Sequence, residues 1–307
     1  MHDGATGPLP ATVRPGRRRA PGAAAVGELG PGTTGRTDMP DRDAVFAGSV
    51  PALYDRLMGP LFFEPFAVEM ARRVLAEPVR AVLETAAGTG ILTARLAAGC
   101  PDGVALVATD LNPPMLELAA AKPAMDRVRF EVVDAQALPF ADGEFDAVVC
   151  QFGVMFFPDR VGAYREAWRV LTPGGRFLFS AWDGLAHCPL TRTMLEAVSA
   201  ALARPGPWFL ERTPHGYHDV GAIGRDLRAA GWTDVRIETV ALAGRADSAR
   251  SAAVALCQGT PMRDELAALG EGALDAATEA AAAAIARAFG DGPFEAVQQA
   301  RFVEASR

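Results

Sequence analysis

The chain is poor in cysteine, poorer still in lysine, and has no long apolar run, and each shortage closes a class of function. Its four cysteines, Cys100, Cys150, Cys188 and Cys257, are scattered over 307 residues. No C-x-x-C pair occurs, and no histidine is spaced to complete a zinc knuckle. That excludes a disulfide framework and predicts buried free thiols in a reducing, cytoplasmic compartment, with no metal site. Lys122 is the single lysine, and the formal net charge is -7. A nucleic-acid partner calls for a basic surface that neutralises phosphates. The clustered basic run, Arg17, Arg18 and Arg19, lies outside the segment expected to fold, so no nucleic-acid partner is expected. No stretch approaches the ~18 consecutive apolar residues of a membrane span, so no membrane partner is expected either.

What is present falls into unequal parts. Residues 1–38 are dense in Gly, Pro, Ala and Arg and nearly free of large apolar side chains. Such a segment cannot bury enough surface to order and is predicted to be a disordered tail. A twin-arginine export signal would need an apolar stretch after the arginines, and none follows. Translation is expected to start at Met39, which the intact mass of the natively expressed protein would check. Residues 39–80 are expected to form a helical cap.

From Ala81 onward, short β-branched runs alternate with amphipathic stretches. The runs are AVLET (81–85), VALVATD (104–110), VRFEVVDA (128–135), FDAVVCQF (145–152) and RFLFSAW (176–182). They are almost continuously apolar, as strands buried on both faces of a parallel sheet should be. Helices are predicted at ILTARLAAG, with Gly99 as its left-handed stop, and at PPMLELAAA, opened by prolines suited to a first turn. A third, DRVGAYREAWRVL, starts at the N-cap candidate Asp159, and a TPGG turn (172–175) leads into the fifth strand. TDVRIETVAL and AVQQARFVEAS supply a sixth and a seventh strand. The pattern defines an α/β fold, a Rossmann-like doubly wound sheet of seven mostly parallel strands with flanking helices. Residues 81–246 form the core, an Ala-rich helical insertion at 247–290 acts as a lid over one edge of the site, and 291–307 return as the last strand.

Open parallel sheets bind ligands beyond the carboxyl ends of their strands, where strand order reverses. After the first strand comes E-T-A-A-G-T-G, with Glu84, Ala86, Gly88 and Gly90. Small residues there allow a tight turn and close approach of the backbone to a ligand at a helix N-terminus. Asp110 ends the second strand twenty residues beyond Gly90, where a carboxylate can accept two ribose hydroxyls. A nicotinamide-binding domain would want G-x-G-x-x-G, whereas these glycines are one residue apart and follow an acidic side chain.

Together these motifs resemble the class I S-adenosylmethionine-dependent methyltransferases, in the small-molecule branch that includes the ubiquinone and menaquinone biosynthesis enzymes. The resemblance covers about residues 45 to 245. It implies S-adenosyl-L-methionine as cofactor, with Glu84, Ala86, Gly88 and Gly90 around its methionine part and Asp110 and Leu111 at the ribose. Met115 would lie against the adenine, Asp134 and Ala135 near its edge, Gln151 below the cofactor, and Tyr54 would close over it from the cap. Ala86 departs from the pattern, standing where the family more often has its first glycine. An alanine there is expected to keep an ordinary negative φ.

The acceptor side is less legible. Methyl transfer from a sulfonium is an in-line displacement that needs alignment and exclusion of water, with a base when the acceptor must lose a proton. Base candidates past the fifth strand are Asp183, His187, His215, Tyr217 and His218, with His187 taken as catalytic for its position. Phe156, Trp182, Trp208, Tyr217 and His218 are the expected substrate contacts, although His218 and Asp219 could equally cap the next helix. Two histidines, His215 and His218, without a third partner make a poor metal site. The expected activity is methyl transfer to a small-molecule acceptor such as a quinone or polyketide; the alternative is a non-catalytic S-adenosylmethionine-binding regulator. The expected partners are the acceptor and, with oligomeric state left open, a second copy of the chain in a homodimer.

Overall fold

The computed structural model of the protein describes Met1 and residues 50–307. The expected disordered tail, the start at Met39 and the first residues of the cap lie outside the described residues. The described chain opens with α1 (Val50–Leu53), a π-helical segment (Tyr54–Phe63) and α2 (Glu64–Val74), which run on end to end. Pro60 lies inside the π-helical segment. It offers no N–H to a regular helical ladder, which favours a locally wider turn.

The sheet consists of β1 (Ala81–Glu84), β2 (Ala105–Asp110), β3 (Val128–Val132), β4 (Phe145–Gln151), β5 (Leu171–Trp182), β6 (Asp234–Ala246) and β7 (Phe294–Ser306). Its spatial order is β3-β2-β1-β4-β5-β7-β6, with β7 antiparallel to both neighbours. Apart from β7 the strands pair in parallel, and the order reverses between β1 and β4. The carboxyl ends of those two strands, Glu84 and Gln151, therefore flank the crevice where ligands bind in such sheets. The central strands are buried on both faces, as their unbroken apolar runs require, while β6 at the edge alternates exposed and covered residues.

α3 (Ile91–Gly99) follows β1 and α4 (Pro113–Ala120) follows β2 with two prolines in its first turn. Gly99 is the last helical residue of α3 and has no left-handed φ, contrary to expectation. Its lack of a side chain serves packing instead, since a β-carbon there would lie 2.7 Å from Leu75 Cδ1. α5 (Arg160–Val170) starts as predicted, with the Asp159 carboxylate accepting the Gly162 N–H at 2.8 Å. The TPGG turn lies within the bounds of β5. Phe145 pairs with Leu171 and Ala147 with Arg176, so the intervening residues bulge out of the ladder, with Gly174 at φ +79°.

Beyond β5 come α6 (Pro189–Ala201), α7 (Phe209–Arg212) and α8 (Val220–Ala229). Arg176, buried in β5, donates to the last carbonyls of α2, Arg73 O at 3.2 Å and Val74 O at 2.9 Å. This ties the helix that carries the cap to the sheet. Between β6 and β7 lie α9 (Ala249–Gln258), α10 (Met262–Ala267) and α11 (Ala273–Phe289). α11 packs on α9 and α6, and α9 reaches the π-helical segment. Alanines on these helices allow close approach of their axes: Ala252, Ala253, Ala255, Ala277 and Ala281 are all buried.

Candidate functional site

Two cavities meet at the carboxyl edge of the sheet. The first, about 960 Å³ and open to solvent, is lined by the loops after β1, β2, β3 and β4 and by Tyr54. The second, about 480 Å³, lies among the π-helical segment, β5, α6, α7 and the end of α9. Tyr54, Phe63, Phe152 and Phe156 line both, so an aromatic partition separates and joins them. Phe152 stacks on Trp182 with ring centroids 3.7 Å apart and planes 6° from parallel. It does so from a left-handed backbone, φ +55°, held by its N–H donating to Ser180 O at 3.2 Å. Strained positions of this kind concentrate where a site fixes a side chain.

In the first cavity the loop after β1 turns sharply. The Ala87 N–H donates to Thr109 O at 2.9 Å and the Gly88 N–H to Asp110 Oδ2 at 2.8 Å. Asp110 Oδ1 accepts the Asn112 backbone N–H at 2.8 Å and its side-chain N–H at 3.2 Å. Glu84 Oε2 accepts the Thr93 hydroxyl at 2.6 Å. Both carboxyl groups are buried, and no cation among the described residues offsets either charge. Desolvation therefore pushes the Glu84 carboxyl up to about 8, and burial likewise raises Asp110 above the usual carboxylate range. Gln151 donates through Nε2 to Phe63 O at 3.3 Å, while its buried Oε1 has no partner among the described residues.

Of the residues that sequence reasoning placed around a cofactor, Tyr54, Glu84, Ala86, Gly88, Asp110, Leu111, Met115, Asp134, Ala135 and Gln151 all line this cavity. Gly90 does not. It sits at the start of α3 with φ +76°, and a β-carbon there would lie 2.8 Å from that of Ala119, so its smallness seats α3 against α4. Ala86 corrects a second expectation, because its φ is +52°. The tight turn imposes the left-handed conformation although alanine disfavours it by roughly 1–2 kcal/mol.

The second cavity has a different chemistry. Met58, Phe62, Met155, Trp182, Phe209, Leu210 and Leu256 supply most of its wall. Among the described residues no carboxylate, guanidinium or ammonium lines it. Thr191, Thr260 and His215 supply its polar groups besides the shared Tyr54 and the Trp182 indole. Thr260 is satisfied by donating to Leu256 O at 2.8 Å, whereas the buried Thr191 hydroxyl has no partner among the described residues. His215 is buried, and its Nδ1 lies 2.7 Å from Asp183 O. Desolvation pushes its imidazole down to about 4, which keeps it neutral near pH 7.

The predicted catalytic residue, His187, lines neither cavity. The chain turns after β5 through a 3₁₀ turn, Leu185–His187, in which the His187 N–H bonds to Gly184 O at 2.9 Å, and the residue is exposed. Of the expected substrate contacts, Phe156 and Trp182 line the second cavity. Trp208, Tyr217 and His218 do not. Trp208 is a core residue whose Nε1 donates to Ser199 Oγ at 2.8 Å. The Tyr217 hydroxyl donates to Asp226 at 2.8 Å, away from both cavities. His218 is exposed, its Nδ1 2.7 Å from His215 O, while Asp219 alone caps α8 by accepting the Ala222 N–H at 2.6 Å. Sequence reasoning missed Met58, Phe62, Phe63, Thr191 and Leu256. The aromatic run LFFEPF in the cap was the one signal that could have pointed to Phe62 and Phe63.

A parallel sheet reversing between β1 and β4, an antiparallel β7 inserted beside β5, and an acidic-then-small loop at the reversal together define a class I methyltransferase architecture. The comparisons with known proteins agree. A family model described as "Methyltransferase domain" matches residues 83–179. Demethylmenaquinone methyltransferase of Mycolicibacterium gilvum is 34% identical over 168 residues, 52% of this chain and 71% of that protein. The demethylmenaquinone methyltransferase of Deinococcus radiodurans is 44% identical over 110 residues, 35% of this chain and 45% of its own length. The chain thus spans less than half of that relative. Phosphoethanolamine N-methyltransferase 2 of Haemonchus contortus, solved with S-adenosyl-L-methionine, has the same fold: TM-score 0.53 at 18% identity, over 84% of this chain and 56% of that one. The chain belongs to the class I S-adenosylmethionine-dependent methyltransferase family, in its ubiquinone/menaquinone-like branch. No helix among the described residues is long and apolar enough to cross a membrane.

Proposed function

We propose that the protein transfers a methyl group from S-adenosyl-L-methionine to a flat, largely apolar small molecule of the quinone type. The observation that carries this reading is the pairing of two unlike cavities across one aromatic partition, an acidic cleft beside an uncharged aromatic chamber. The family's cofactor fits the cleft on physical grounds. Among the described residues, Glu84 and Asp110 are buried without a compensating cation, and the Gln151 Oε1 is an orphaned acceptor in the same space. A ligand with an ammonium group and a ribose would satisfy them. Glu84, Ala86 and Gly88 would hold its amino-acid end, Asp110 its ribose, and Met115, Asp134 and Ala135 its base. When bound, it supplies a methyl group activated by a sulfonium.

The chain's own contribution is alignment and dryness. Phe63, Phe152 and Phe156 form the wall through which the two cavities communicate, and Tyr54 closes it from the cap. An aromatic chamber without fixed charge favours a planar apolar acceptor over a phosphorylated or zwitterionic one, whose desolvation nothing there would offset. The names of the quinone-methylating relatives support the same acceptor class.

Titration with S-adenosylhomocysteine by calorimetry, alongside Asp110→Ala and with NADH as a control, tests the reading. Binding to the wild type that weakens by about ten- to a hundred-fold in the variant supports it, since a charge-assisted hydrogen bond contributes roughly 1.5–3 kcal/mol. No binding, or equal binding of NADH, overturns it. Turnover of the methyl donor with a panel of naphthoquinols then distinguishes an enzyme from a binding protein.

A further inference from the structure

Sequence order makes His187 the natural base, but the histidine that reaches the acceptor chamber is His215. We propose that His215 Nε2 takes up the proton that a hydroxylated acceptor loses, while the Thr191 hydroxyl holds a second oxygen on the same ring. This deepens the reading above and rests on it.

The tautomer of His215 follows from its partner. Nδ1 lies 2.7 Å from the Asp183 carbonyl oxygen, which can only accept, so Nδ1 carries the hydrogen. In the neutral ring Nε2 is then a bare acceptor, and it has no hydrogen-bond partner among the described residues. The ring is anchored through Nδ1 by Asp183, the Trp182 ring lies 6.4 Å from it between centroids, and the His218 ring bonds to the His215 backbone carbonyl. Asp183 is itself fixed, because its Oδ1 accepts Arg301 Nη2 at 2.8 Å and the Gly184 N–H at 2.7 Å. A base oriented by a fixed acceptor on its far nitrogen is the arrangement that general-base catalysis needs.

Thr191 supplies the independent observation. Thr191 is 1% exposed, it lines the same chamber, and its hydroxyl has no partner among the described residues. A buried hydroxyl left unpaired costs roughly 1–3 kcal/mol, which a ligand oxygen would relieve. An otherwise apolar chamber with one proton acceptor and one hydroxyl suits an aromatic ring bearing one ionisable hydroxyl and one further oxygen, as in a hydroquinone. In the proton-transfer step the O–H bond of the acceptor breaks and its electron pair stays on the ring system. A new N–H bond forms at Nε2. The imidazolium and the anion so formed make a neutral pair, so the burial that disfavours a lone imidazolium weighs less against the pair.

The test uses 4-nitro-1-naphthol as probe, whose visible absorption reports ionisation, with the full-length protein saturated with S-adenosylhomocysteine. Binding is followed by absorbance, and the protonation of His215 by nitrogen-15 NMR of histidine-labelled protein. The expected result is that wild type shifts the bound probe to its ionised band at a pH where the free probe is neutral, with an imidazolium signal appearing together with it. His215→Gln is expected to bind the probe within about three-fold of wild type but in its neutral form. Thr191→Val is expected to weaken binding about ten-fold, the equivalent of one lost hydrogen bond to a charged group. An ionised probe in His215→Gln, or an unchanged imidazole signal in wild type, overturns the proposal. So does failure of the probe to bind while S-adenosylhomocysteine binds normally, which leaves the cofactor reading intact. Loss of S-adenosylhomocysteine binding in wild type instead strikes the cofactor reading itself.

Discussion

A β-carbon placed on Gly153 would lie 2.5 Å from the methyl of Ala86, so the glycine after β4 makes room for the alanine after β1. The two residues face each other across the reversal point of the sheet, and both line the first cavity. Gly153 leaves room for the Ala86 methyl, while the left-handed φ of +52° itself is imposed by the tight turn after β1. Cys150 Sγ, 2.7 Å from the same hypothetical carbon, closes off any escape.

That packing makes Gly153→Ala destabilising by about 1–3 kcal/mol through overpacking. Adding Ala86→Gly should recover part of the loss, because it removes the clash with the alanine methyl, though not that with Cys150 Sγ, and relieves the left-handed backbone. Urea denaturation of the two single variants and the double variant measures the coupling, expected at roughly 0.5–3 kcal/mol. Strict additivity would mean that the two positions do not touch.

The same pair shows what the sequence could and could not disclose. Most residues lining the cleft sit within a few positions of a strand that announces itself by composition, whereas Tyr54 and Phe63 come from the π-helical segment. The φ of Ala86 was not readable, since the turn that imposes it is held by Thr109 and Asp110, which are remote in sequence. The acceptor chamber was harder still. Phe62, Thr191, Phe209, His215 and Leu256 come from five separate segments, and each has the spacing of an ordinary core residue. His187 follows β5 closely, and a 3₁₀ turn places it at the surface, while His215, 32 positions after Asp183, returns to that residue's carbonyl.

Glu84 predicts an unusual pH dependence for the ligand-free protein. Its carboxyl rises from an ordinary 4.5 to about 8 in the folded state because of desolvation. The folded state then binds more protons than the unfolded chain between those values, so stability falls as pH rises from about 5 to 8. Glu84→Gln should flatten that part of the profile in urea midpoints measured against pH. S-adenosylhomocysteine, which brings an ammonium group, should release a proton as it binds at pH 7 and bind more tightly as pH rises toward 8. Calorimetry in two buffers of different ionisation enthalpy reads the proton directly, and equal heats in both would refute the assignment.

His215 acts with the opposite sign. Its imidazole is lowered from an ordinary 6.5 to about 4, so on acidification the unfolded chain takes up a proton that the folded state refuses. Stability contributed by the neutral ring is full above about pH 6.5 and is lost as pH falls toward 4. His215→Gln should lose this acid sensitivity while retaining its stability at pH 8. A variant whose urea midpoint follows the wild type throughout that range would show that His215 is not the group titrating.

Leu256 provides a way to separate the two cavities. It lies on α9, is buried, and lines the acceptor chamber but not the cleft. Leu256→Phe adds volume to a space of about 480 Å³ while keeping the wall apolar, at a folding cost of about 1–3 kcal/mol. S-adenosylhomocysteine affinity should stay within about two-fold, because none of the cleft's polar partners is disturbed. Affinity for the naphthol probe should drop about ten-fold or more, the effect of roughly 1.4 kcal/mol of lost packing. Measuring both affinities on one folded sample, with circular dichroism as the control for structure, isolates the chamber. A parallel loss of both ligands would mean that α9 supports the cleft as a whole and does not act as a separate wall for the acceptor.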